Sequence, residues 1–131
     1  MKVLALDYGS ARTGVAVSDE TGTLARPVGV VERAGSDAGL SRVAVLVVEH
    51  EAALVVVGLP LTLRGEHGEQ ARETERFVEA LRAVVSVPVE TFDERFTTAL
   101  AAQSPSARAE EDARAAAHLL AGYLERLAGR E

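Results

Sequence analysis

Hydrophobic and polar positions follow two different periods along this chain, and each change of period marks an element. Residues 2–7 (KVLALD) are almost continuously apolar, which predicts a strand covered on both faces. A second apolar run, GVAVS at 14–18, follows closely across Gly9 and Gly14, so the two read as a hairpin, with DETGT at 19–23 as the next turn. LARPVGVV at 24–31 reads as a third strand, and Pro27 puts it at an edge or a bulge. Beyond the polar break ERAGSDAG, the spacing of Leu40, Val43, Val47 and Val48 predicts a helix capped by Ser36 or Ser41. ALVVVGLP at 53–60 is short and β-branched, a second buried strand closed by Gly58-Leu59-Pro60. Residues 68–85 carry a helical face of Ala71, Thr74, Phe77, Val78, Leu81, Val84 and Val85, with Glu and Arg opposite. Pro88 opens the strand VETF, which stops at Asp93 and Glu94, and Ser104-Pro105 begins a last helix reaching about Leu127.

Three strands followed by helix, strand, helix, strand, helix predict an α/β domain spanning 1–131. Its sheet is mixed and five-stranded, antiparallel among the first three strands, with helices on both faces. Ligands of such sheets gather where strands end at their C-termini, and Asp7, the 58–60 loop and Asp93-Glu94 all fall there.

The chain has 131 residues, enough for one core and too few for two lobes around a cleft. Its net charge of −6 argues against a protein that coats nucleic acid through many phosphate contacts, yet suits a site that gathers carboxylates. Lys2 is the one lysine among 14 basic residues, and the arginines are the better bidentate phosphate ligands. With no cysteine and with His50, His67 and His118 scattered, no zinc spacing exists; any metal is held by oxygen. No apolar run reaches the roughly 20 residues of a membrane-spanning helix, and no secretory leader is visible. A soluble, cytoplasmic protein without a membrane partner is expected.

Asp7 lies in phase with Val3 and Ala5 on a strand that reads as buried, where a carboxylate costs several kcal/mol unless paired or bound to metal. Its alternative role is to cap the adjacent turn. Asp112 shares a helical stripe with Ala116, Leu119 or Leu120, Tyr123 and Leu127, the face that packs on the sheet. Glu94 follows a strand end directly; pairing with Arg95 or plain solvation is its alternative. Glu110 and Glu111 fall off the Asp112 stripe, and His118 reads as surface. Asp7, Glu94 and Asp112, from the first strand, a later strand end and the last helix, can therefore converge. Such a cluster needs a cation, and oxygen-only ligands select Mg2+ or Mn2+. Two such ions activate a water and stabilise the leaving oxygen in phosphodiester hydrolysis.

Taken in order, DYGSARTGVAVSD (7–19), VGLPLTLRG (57–65), DERFTT (93–98) and DARAAAHLLAGYL (112–124) resemble the YqgF family of bacteria, also called RuvX. The resemblance implies a ribonuclease H-like fold, kinship with the RuvC Holliday-junction resolvases, and a metal-dependent nuclease that processes the 5′ end of pre-16S ribosomal RNA. By position it implies Asp7, Glu94 and Asp112 as the catalytic, metal-binding acids. It also matches Gly9, Arg12 and Gly14 to the first turn, Gly58, Pro60 and Gly65 to the second motif, and Arg95 and Thr97 to the third. Arg12, Arg64, Arg95 and Thr97 become the candidate substrate contacts. The chain departs from that family at QSPSARAEED (103–112), short and acidic where a longer, lysine-bearing connection is usual, and at Ala121, near which a glutamine is usual.

Resolution of four-way DNA junctions breaks the same bond with the same ions and stays open, as does the choice of monomer or dimer. A noncatalytic ribosome-assembly module also stays open, favoured by the acidic connector. An ATP-dependent phosphotransferase of the actin and sugar-kinase type would likewise follow an aspartate with a Gly-rich hairpin. It encloses its nucleotide between two such domains, however, so no nucleotide cofactor is expected here.

Overall fold

The computed structural model describes residues 1–60, 68–93 and 108–129. Strand β1 (Val3–Asp7) lies at the centre of a five-stranded sheet of order β3-β2-β1-β4-β5, which its apolar character on both faces requires. β2 (Arg12–Ser18) pairs antiparallel with β1, and β3 (Ala25–Glu32) antiparallel with β2. On the other side β4 (Leu54–Leu59) runs parallel to β1 and β5 (Val89–Asp93) parallel to β4. The mixed sheet is thus the one the pattern predicts.

Period two divides the strands between two cores. Leu4, Leu6, Val15, Val17, Val55 and Val57 pack with Leu40, Val43, Leu46 and Val47 of α1 (Asp37–Glu49) and with Phe77, Val78 and Leu81 of α2 (Glu69–Arg82). Val3, Ala5, Ala16, Leu54, Val56 and Phe92 pack with Ala116, Leu119, Leu120, Tyr123 and Leu124 of α3 (Arg108–Gly129). Each fully buried Leu or Val contributes about 1.5–3 kcal/mol of transfer free energy, so the two apolar faces together hold the sheet between the helices. α3 is fixed at its far end by Tyr123, whose hydroxyl donates to Glu90 Oε1 at 3.0 Å and whose ring meets Phe92 edge-on at 5.5 Å.

Pro27 meets both of its expected roles, since β3 is an edge strand and Val15 and Ala16 pair with Gly29 and Pro27, leaving Val28 as the extra residue of a bulge. Of the two serines, Ser36 caps α1, accepting from the Gly39 amide at 3.0 Å. The buried stripe of α1 runs through Leu46 rather than Val48, which is 76% exposed, because five residues from Val43 carry the helix off that face. α2 ends at Arg82 with Ala83 as its C-cap, so Val84 falls beyond the helix and lies exposed, while Val85 still packs against the core. The Ser104-Pro105 start of the last helix lies outside the described residues. Among the described residues, no helix is long and apolar enough to cross a membrane.

Candidate active site

Asp7 ends β1, and the antiparallel register sets it opposite Gly14. Since Val3 and Ala5 face α3, period two sends Asp7 to that same face. Ala16 faces α3 as well, and so do Gly14 and Arg12, two and four residues before it on β2. At Gly14 the helix comes down onto the strand. A Cβ there would run into the backbone carbonyl of Asp112, with its carbon only 2.5 Å away, and would crowd the Ala113 amide. Glycine is therefore required by the close approach of α3, and that approach places Asp112 over the strand pair that carries Asp7.

Asp112 is half-buried at the start of the α3 stripe, and its Oδ2 accepts a hydrogen bond from Arg12 Nε at 2.7 Å. The pair is charge-assisted and short, joining two residues 100 positions apart in sequence. Arg12 is thus engaged with a carboxylate here. Gly14 is not a turn glycine as expected: β2 begins at Arg12, because the connection from β1 needs only residues 8–11, and Gly14 lies within the strand. Gly58 likewise lies inside β4, opposite Phe92, and only Pro60 follows the strand end. Gly9 does keep its turn role. A Cβ on it would stand 2.5 Å from the Arg12 carbonyl oxygen, and its amide donates to the buried Thr13 Oγ1 at 3.3 Å.

The next side chain, Tyr8, goes to the opposite face, where it stacks on Phe77 of α2 with ring centroids 4.4 Å apart and 22° between planes. Its hydroxyl donates to Glu73 Oε2 at 3.3 Å. Burial and the neighbouring Glu73 carboxylate together raise the phenol above its ordinary pKa. Asp7 is therefore held by packing on both sides of the sheet. The pattern offered a signal for this contact, an aromatic directly after Asp7 and Phe77 on the buried face of α2, which the sequence reading did not connect.

Asp93 ends β5 in register with Leu59, at the same end of the sheet. It follows Phe92, which faces α3, and so belongs to the opposite face from Asp7. Glu94, Arg64, Gly65, Arg95 and Thr97 lie outside the described residues. Among those described, Asp7 and Asp112 are the predicted acids brought together, and no group of three His, Cys, Asp or Glu residues is arranged around one point. His118 is exposed, as expected, and Glu110 pairs with Arg114 at 3.7 Å along α3, both side chains exposed. Beside the site, an open groove of about 430 Å³ runs between the bulge of β3 and α3, lined by Pro27, Val28, Gly29, Glu110, Ala113 and Arg114.

Two carboxylates at the C-terminal end of a central strand and at the start of a packed helix present only hard oxygen donors, which suit a divalent cation of the Mg2+ type. The mixed sheet of order β3-β2-β1-β4-β5 with helices on both faces is that of the ribonuclease H-like fold. Within it, the family model described as "RuvX: Holliday junction resolvase" matches residues 1–126, and the chain belongs to that family.

Relatives named "Putative pre-16S rRNA nuclease" include one from Chloroflexus aurantiacus, 39% identical over 94% of this chain and 86% of its own length. Another, from Anaeromyxobacter, is 41% identical over 95% and 97%. A third, from Chloroflexus aggregans, is 48% identical over 77% and 71%. In fold, the chain is similar to Thermus thermophilus RuvC in complex with a Holliday junction substrate, with a TM-score of 0.62, 19% identity, and 98% and 96% of the two chains covered. It is also similar to the Fowlpox virus resolvase bound to Holliday junction DNA, with a TM-score of 0.56, 12% identity, and 97% and 99% covered.

Proposed function

We propose that this chain is a cytoplasmic metal-dependent nuclease, one domain spanning residues 1–131, that hydrolyses phosphodiester bonds in processing the 5′ end of pre-16S ribosomal RNA. The observation that carries the reading is the seating of α3 on Gly14, which sets the Asp112 carboxylate on the face and at the strand end where Asp7 stands. Membership of the RuvX family and relatives named for the pre-16S activity support it.

In this reading Asp7 and Asp112 hold Mg2+ or Mn2+ together with Glu94, which lies two residues beyond Phe92 in sequence. The chemistry that ions so held supply is activation of a water and stabilisation of the leaving oxygen. Asp7 anchors the site from the sheet, and Asp112 closes it from the helix. Arg12, Arg64 and Arg95, with the Thr97 hydroxyl, bind the phosphates of the substrate and orient the strand to be cut. Gly9 shapes the turn that carries Arg12 back towards the site, and Pro60 follows the end of β4 directly.

A second reading, resolution of four-way DNA junctions, is supported by the description of the family model and by the likeness in fold to resolvases bound to Holliday junctions. One experiment separates the two. Wild type and Asp7→Asn are incubated with Mn2+, Mg2+ or EDTA against an RNA carrying the 5′ leader of 16S rRNA and against a four-way DNA junction. Metal-dependent cleavage that disappears in the variant is expected, and the preferred substrate chooses between the readings. Cleavage retained by Asp7→Asn would sink the site assignment, and no cleavage by folded wild type would leave a noncatalytic ribosome-assembly module.

A further inference from the structure

We propose that Arg12 is a displaceable internal counter-ion: its guanidinium occupies the Asp112 carboxylate that a divalent cation needs, so cation binding and release of Arg12 are one coupled event. This rests on the metal-site reading above. Asp7 and Asp112 stand on one face of the sheet at one strand end, and two carboxylates brought together need positive charge beside them. Arg12 supplies it, permanently charged and on the same face two residues before Gly14. Asp112 has little room to withdraw, because its backbone is pinned against Gly14.

The bond is placed for exchange. It is short, 2.7 Å, yet the Arg12 and Asp112 side chains remain 36% and 31% exposed, so an incoming hydrated cation reaches Oδ2 from solvent. The freed guanidinium also has somewhere to go. In the β2–β3 register Arg12 is the cross-strand partner of Glu32, whose side chain is exposed at the sheet edge. A substrate phosphate at the site is the other destination, and the guanidinium fork matches its oxygens. The site thus holds either the arginine or the cation on Asp112, and the arginine becomes available to a phosphate only when the cation has arrived.

The test is a Mn2+ titration followed by electron paramagnetic resonance, which counts free ion and needs no substrate. It compares wild type, Arg12→Gln, Arg114→Gln, Asp112→Asn and the Arg12→Gln/Asp112→Asn double variant, each checked for folding by circular dichroism. Removing the competitor in Arg12→Gln should tighten Mn2+ binding about two- to fivefold, the scale of a half-exposed ion pair. Arg114→Gln makes the same change in net charge one helical pair away, with Glu110 as its partner, and should leave affinity at the wild-type value. Asp112→Asn should weaken binding and erase the gain from Arg12→Gln, so that the two changes are not additive. Affinity unchanged or weakened in Arg12→Gln, or an equal gain in Arg114→Gln, would overturn the proposal while leaving the metal site in place. Absence of Mn2+ binding in every folded variant would overturn the metal-site reading and this inference with it. The gain in Arg12→Gln together with wild type that cuts no substrate would support the exchange and remove only the nuclease.

Discussion

The backbone carbonyl of Asp112 rests on Gly14, and Gly14 is the register partner of Asp7. One missing side chain therefore decides the distance between a strand that opens the chain and a helix that closes it. The two acids come from elements far apart in sequence, β1 and α3. They meet because a strand position was left empty for a helix backbone to enter.

Gly14→Ala should accordingly damage both stability and the site. A methyl group forced against a backbone carbonyl that cannot yield must push α3 away or distort β2, and overpacking of this kind costs about 1–3 kcal/mol. Urea denaturation should show the lower stability, and cleavage should fall even under conditions where the variant remains folded. Unchanged stability together with unchanged cleavage would show that α3 does not need this seat.

Asp112→Asn should separate stability from activity. The ion pair with Arg12 is half-exposed, so its loss costs about 0–1 kcal/mol. If Asp112 ligates the metal as proposed, its loss should lower cleavage by more than the roughly 10–100-fold typical of outer-sphere partners. Thermal melts and cleavage rates on the same samples check both. Removal of divalent ions with EDTA should abolish cleavage by wild type with no change of fold seen by circular dichroism.

Much of this architecture is legible in the sequence, and the failures have a common cause. The apolar run at 3–7 announces a central strand, Pro27 an edge with a bulge, and Ser36 a cap, because each signal is local. Asp7 and Asp112 are visible as carboxylates in phase with apolar faces. Gly14 and Gly58 are misread as turn residues because a glycine in a strand carries no side chain to declare its face, and its reason lies in what packs on it. The exposed Val48 and Val84 show a related limit, since Val48 is still helical but turned off the buried stripe, and Val84 lies beyond the end of α2. No local signal pairs Arg12 with a residue 100 positions away.

Tyr8 offers a test of how Asp7 is held from behind. Tyr8→Phe keeps the stack on Phe77 and loses only a long hydrogen bond to Glu73, so it should cost under about 1 kcal/mol. Tyr8→Ala also loses the stack and should cost about 2–3 kcal/mol, below the range for fully buried aromatics because the ring is partly exposed. The raised phenol pKa has a defined sign. The stability it contributes is fully present below the ordinary tyrosine value of about 10 and is lost as pH climbs through the higher folded value. Ultraviolet titration in a Tyr123→Phe background should show the remaining phenol ionising late.

Asp19 organises the β2–β3 turn and should be sensitive to acid in the opposite direction. Its carboxylate accepts from the Thr21 hydroxyl at 2.6 Å, from the Leu24 and Thr23 amides at 3.1 and 2.9 Å, and from the Thr23 hydroxyl at 3.3 Å. These bonds hold it well below the usual carboxylate range. A depressed folded value means its contribution is complete above the ordinary carboxylate pKa and disappears as pH falls through the folded one. Carbon-detected NMR titration should place its midpoint below the ordinary aspartate value, and Asp19→Ala should lower Tm at neutral pH more than in strong acid.

The helix that completes the site packs on the three strands that open the chain. A polypeptide still being synthesised carries Asp7 and Arg12 long before Asp112 has been added, and it has nothing to lay on Gly14. Closing so distant a contact is also the slow kind of folding step. In the nuclease reading proposed above, the site is therefore complete only once the α3 segment has been made and laid on Gly14.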